Sequence, residues 1–77
     1  PKERTLEEVS VIEISNALCD LAHRAMGISV EELFKEATRA FGGTRVTEAI
    51  RARLGRALDH SVRTERLAVA GSVVMPR

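Results

Sequence analysis

Arginine supplies every lysine-or-arginine charge in the second half of this chain. From residue 39 onward Arg39, Arg45, Arg51, Arg53, Arg56, Arg63, Arg66 and Arg77 face only Glu48, Asp59 and Glu65, so 8 minus 3 leaves +5. A guanidinium presents a planar fork of donors that can take an anion's oxygens two at a time, which makes this half chemically suited to phosphate. Residues 1 to 38 read the opposite way. Lys2, Arg4, Arg24 and Lys35 stand against Glu3, Glu7, Glu8, Glu13, Asp20, Glu31, Glu32 and Glu36, and 4 minus 8 gives −4. The formal net charge of +1 conceals this division.

The other reactive residue types do not assemble a catalytic set. Cys19 is the single cysteine, too few for an internal disulfide or a thiolate cluster, and reads as core packing. His23 and His60 fall in separate helical segments as solvated or capping residues, and no serine sits in a nucleophile motif. Gly42-Gly43 lacks the lysine and hydroxyl residue of a phosphate loop. Glu7-Glu8 and Glu31-Glu32 occupy helix-start positions rather than acid-base pairs. The expectation is therefore a protein with no catalytic residue, no cofactor, no metal and no small-molecule substrate. Its chemistry is binding, and not an enzyme's.

Those arginines need elements to hold them. Thr5 and Ser10 each precede a glutamate by three residues, giving two alternative capping boxes for a first helix. Val11, Ile14, Leu18, Leu21 and Ala25 then recur at steps of three and four, widened by Ile12, Cys19, Ala22 and Met26. The β-branched residues Val9, Val11, Ile12 and Ile14 leave a short strand before Ser15 as a second reading. His23 and Arg24 suit a helix end, with Gly27 as its cap and Ile28 as the apolar contact. Ser29 and Glu32 start a second helix whose stripe is Val30, Leu33, Phe34, Ala37 and Phe41, closed by Gly42 and Gly43. Phe34 and Phe41 are the only aromatics, so they are expected to be the largest core plugs rather than platforms for bases.

A third helix begins at Thr44 or Thr47 and runs to about Thr64. Around Ile50 cluster Val46, Leu54, Ala57, Leu58, Ser61 and Val62, while Arg45, Glu48, Ala52, Gly55, Arg56, Asp59 and Arg63 point outward. Leu67 to Ala70 and Val73 to Met75 flank a Gly71-Ser72 turn as two short strands, and Pro76 ends the second. The fold expected is mainly α with a small β-hairpin, an α+β winged helix-turn-helix of three helices plus a C-terminal two-stranded wing. Ile28 is placed to add a minimal third strand, and a plain three-helix bundle with a frayed tail is the other arrangement.

Length and composition agree with one small unit. A chain of 77 residues, 44% hydrophobic and 30% charged, builds one compact core and is not a disordered composition. No apolar run reaches the ~20 residues of a membrane span and no signal peptide is visible, so a soluble cytoplasmic setting without membrane contact is expected. The opening at Pro1 predicts a segment, residues 1 to 77, excised from a larger protein.

The string Gly27-Ile28, Glu31-Glu32-Leu33, Ala40-Phe41-Gly42, Arg45, Ile50, Ala57-Leu58 and the closing hairpin from Leu67 to Pro76 resembles an uncharacterised winged-helix-like domain. That family lies near the C-terminus of bacterial superfamily-one helicase-like proteins, often beside a nuclease-like domain. The likeness covers about residues 10 to 77 and its motifs are mostly fold residues. It implies a helicase-associated accessory role in nucleic-acid processing, exercised through a parent protein.

In a winged helix the third helix enters the major groove with its N-terminal half. The candidate DNA contacts are then Thr44, Arg45, Thr47, Arg51, Ala52 and Arg56, with Arg63 and Arg66 on phosphates. Ala52 and Gly55 leave room on the outward face, since a glycine inside a helix costs about 1 kcal/mol and permits close backbone approach. Local spacing also allows Glu48 with Arg51, Arg56 with Asp59, and Asp59 with Arg63 to pair, and the wing tip Ala70-Gly71-Ser72 carries no cation. These features fit the alternative, a module that docks on neighbouring domains of its parent or on another protein without touching DNA. A contiguous positive patch favours the first reading and an exposed apolar strip the second.

Overall fold

Three hydroxyl caps set the helix starts. The structure is a computed structural model that describes Leu6 and residues 8 to 77. The alternative start at Thr5, and Glu7, lie outside the described residues. Ser10 Oγ accepts the Glu13 amide at 3.1 Å and opens α1 (Val11–Ala25), so the β-branched run is helical rather than a strand. Val9 before this cap and Ile14 inside it are both fully buried, the arrangement of a hydrophobic staple. Burial of that pair outweighs the weak helix propensity of the run.

At the end of α1 it is Met26, not Gly27, that turns left-handed, with φ 57°, and its amide reaches Ala22 O at 2.9 Å. Gly27 follows at φ 120°, close against Met75. Ile28–Ser29 then forms β1, and Ser29 Oγ caps α2 (Val30–Ala40) by accepting the Glu32 amide at 3.1 Å. Thr47, not Thr44, caps α3 (Glu48–Arg63), accepting the Ile50 amide at 3.2 Å. After it come β2 (Leu67–Ala70) and β3 (Val73–Pro76).

The result is a small α+β domain with a three-stranded antiparallel sheet in the order β1-β3-β2. The expected two-stranded wing is corrected to three strands: Ile28 pairs with Val74 and Ser29 with Val73 on the free edge of β3. The reason is geometric. The short link between α1 and α2 has to run extended, and an extended segment beside an open strand edge satisfies its amides by pairing. The hairpin turn is also tied down, because Ser72 O accepts the Val30 amide at 2.8 Å.

The core gathers Ile14, Leu18 and Ala22 of α1, Leu33, Phe34 and Ala37 of α2, Leu54 and Ala57 of α3, and Leu67 and Val74 of the sheet. Phe34 is buried as expected, but Phe41, at the helix end, is only half-buried. The buried face of α3 centres on Leu54, Ala57 and Ser61; Ile50, in the first turn, is partly covered. Between α1 and α3 lies a polar seam. The Ser61 hydroxyl donates to Ala57 O at 3.0 Å, which leaves its oxygen to accept the Ser15 hydroxyl at 2.5 Å and the Cys19 thiol at 3.7 Å. No helix among the described residues is long and apolar enough to cross a membrane.

Candidate nucleic-acid interface

The corner between α2 and α3 is shaped by how α2 ends. The amides of Gly42 and Gly43 bond back to Arg39 O at 3.0 Å and Thr38 O at 2.9 Å, a Schellman closure with Gly42 left-handed at φ 88°. Gly43 lies so close to α2 that a Cβ there would meet Thr38 Cγ2 at 2.7 Å. Only a glycine lets the loop fold back this tightly. Thr44, Arg45 and Val46 are thereby carried alongside α2, and a cleft of about 390 Å³ opens between them.

Its walls hold Glu31, Lys35 and Arg39 from α2, Thr44 and Arg45 from the loop, and Arg51 from α3. Arg51 lies 5.8 Å from the centroid of the Phe34 ring, within cation–π range. Its two terminal nitrogens reach the two Glu31 carboxylate oxygens, each at 3.3 Å. Arg39 bonds Glu36 at 3.1 Å. Lys35, Arg45 and Arg56 form no ion pair with the described residues, so their charge is open to solvent.

The structure therefore brings together Thr44, Arg45 and Arg51 of the expected contacts. Thr47 adjoins them but spends its hydroxyl oxygen on the cap. Ala52 and Arg56 are exposed on the outward side of α3, and among the described residues a Cβ at Gly55 would touch nothing within 4 Å. Arg63 and Arg66 stand apart from the cleft: at ~1.5 Å rise per residue, Arg63 is about 18 Å along α3 from Arg51. Arg63 pairs with Asp59 at 3.0 Å, and Arg66 donates to Asn16 Oδ1 at 2.7 Å. Of the local pairs expected on α3 only Asp59 with Arg63 forms; Arg51 turns across to Glu31 instead of to Glu48.

Two sets of residues escaped the sequence reading. Glu31, Lys35 and Arg39 repeat every fourth residue on the polar side of α2, a visible signal whose meaning depends on the corner that follows. Arg53 was assigned to neither face of α3; it donates from Nε to Leu6 O at 3.2 Å and from its terminal nitrogen to Val9 O. It fastens the entry to α1. His23 is exposed, and because Cys19 O can only accept, its Nδ1 carries the hydrogen of their 2.8 Å bond. Cys19 is buried and free. Among the described residues no three His, Cys, Asp or Glu side chains are grouped to hold a metal.

An apolar strip exists as well, but on the sheet. Ala68 pairs with Met75 and Ala70 with Val73 on the face turned away from buried Leu67 and Val74. Val73 and Met75 remain 39% exposed, and Met26, which precedes the Gly27 that lies against Met75, 82%. Compared with protein-family models, curated proteins and solved structures, the chain matches none.

Proposed function

We propose that this is a non-catalytic accessory domain of winged helix-turn-helix type that contacts DNA through the corner between α2 and α3. The resemblance to a domain of bacterial helicase-like proteins supplies its proposed setting, cytoplasmic and within a larger polypeptide. One observation carries the reading: Thr44, Arg45 and Arg51 converge on a cleft with Lys35 and Arg39, and Arg56 stands exposed five residues beyond Arg51 on α3, about 140° around the helix from it. Three helices followed by a hairpin, with the β1 link paired to its last strand, is the order that type of domain requires.

The reading is tested by titrating the 77-residue chain with duplex DNA across salt concentrations. Phosphate contacts from Arg45, Arg51 and Arg56 imply a log–log slope of about −3, and Arg45→Ala with Arg56→Ala is expected to lower affinity and flatten the slope by about 2. Absence of salt-dependent binding at low ionic strength removes the reading. The second reading, docking on another domain, rests on Val73, Met75 and Met26; it predicts that Met75→Ser weakens association with the parent protein and leaves DNA binding unaltered.

A further inference from the structure

From the arrangement around Arg51 we infer that the corner cleft is a phosphate site in which Glu31 acts as a resident counter-anion, displaced when a phosphate-bearing ligand enters. For the source of that phosphate the inference rests on the nucleic-acid reading; for the cleft itself it does not. Lys35, Arg39, Arg45 and Arg51 line the cleft with Glu31, and since Arg39 is also paired with Glu36, 4 minus 2 leaves +2. At about 390 Å³ it falls in the size range of small-ligand pockets, ~300 to 1,000 Å³.

Glu31 is a weak occupant. Its bonds to Arg51, both 3.3 Å, are longer than the ~2.7 to 2.9 Å of tight charge-assisted pairs. The side chains are 69% and 47% exposed, so water screens the pair and opening it costs little. Arg51 has a second support in the buried Phe34 ring, which keeps the guanidinium at the cleft after Glu31 swings out. A ligand carboxylate would only exchange one single-charged group for another. A terminal or inorganic phosphate brings more charge and more oxygens, enough to bridge Arg51 to Arg45 and Lys35 together; a DNA phosphodiester is singly charged like a carboxylate and displaces Glu31 through the run of phosphates its backbone presents. This distinguishes a phosphate ligand from an acidic peptide.

The experiment titrates the 77-residue chain with inorganic tripolyphosphate, duplex DNA and poly-glutamate, following the amides of Gly43, Thr44 and Arg45. Glu31→Gln is expected to tighten tripolyphosphate binding about two- to fivefold, and Lys35→Ala with Arg45→Ala to weaken it about tenfold. Glu32→Gln removes the same charge from the same helical turn but borders a different groove, beside Leu21 and Ile28, and is expected to change affinity less than Glu31→Gln. The inference is overturned if tripolyphosphate does not bind, if Glu31→Gln gains no more than Glu32→Gln, or if poly-glutamate binds as well. If duplex DNA follows the same order of variants, the nucleic-acid backbone is the phosphate source. If tripolyphosphate obeys that order and DNA does not bind, the cleft stands as a site for free phosphate chains and the DNA reading falls.

Discussion

Arg53 and Arg56 are three residues apart on one helix and do opposite things. Arg56 is exposed and makes no ion pair with the described residues, whereas Arg53 is partly buried and spends two donors on the carbonyls of Leu6 and Val9. Removing Arg53 takes this donor from Val9 O, leaves Leu6 O with the long 3.4 Å bond from the Val9 amide, and frees the entry to α1. Arg53→Ala is therefore expected to cost about 1 to 3 kcal/mol in chemical denaturation, and Arg56→Ala less than about 0.5 kcal/mol. Equal costs would show that the clamp contributes nothing to folding. Nothing in the residue types separates these two arginines; the partners of Arg53 lie more than forty positions away in sequence, beyond any rule of local spacing. Ser61 is a similar case: the apolar periodicity placed it on the inner face, but its partner Ser15 was not legible.

At the scale of elements much could be read in advance, because caps are local chemistry. Ser10, Ser29 and Thr47 each accept the amide three residues ahead, and the stripe of α2 buries Leu33, Phe34 and Ala37 as its spacing implied. Phe34→Ala is accordingly expected to cost about 3 to 5 kcal/mol, measured by thermal or denaturant unfolding; an unchanged melting temperature would mean the register of α2 is wrong. The helix ends were harder. Glycine marks the close of α2, but α1 and α3 close on the non-glycine residues Met26 and Glu65, with φ 57° and 62°. At the end of α3 the amides of Glu65 and Arg66 bond to Val62 O and Ser61 O at 3.0 and 2.9 Å, so the left-handed turn is imposed by closure despite its cost. Glu65→Gly should relieve that cost by about 1 kcal/mol and raise the melting temperature by about 4 to 8 °C. A fall in melting temperature would contradict the left-handed geometry at residue 65. Strand β1 was legible only as a possibility, since two residues carry no periodicity; the open edge of β3 turns them into a strand.

For the molecule as a whole, the split of charge along the chain becomes a corner rather than two opposed halves. Lys35 belongs to the acidic segment and Arg39 opens the basic one, yet both line the cleft with Arg45 and Arg51, while Glu31 tempers them. The sequence showed which residue type dominates and which helix carries it. It did not show that α2 completes the site, because that depends on Gly43 pressing the loop against Thr38. The apolar strip sits elsewhere, on the outer face of the sheet, so the two functional readings occupy different surfaces and can be tested independently. The central claim is that the corner binds phosphate on DNA. Its most direct test is the affinity of the chain for duplex DNA as salt is raised, beside Arg45→Ala with Arg56→Ala. The account predicts a slope of about −3 in the native chain and about −1 in the double variant. Equal slopes in the two proteins, or no binding at low salt, would contradict it.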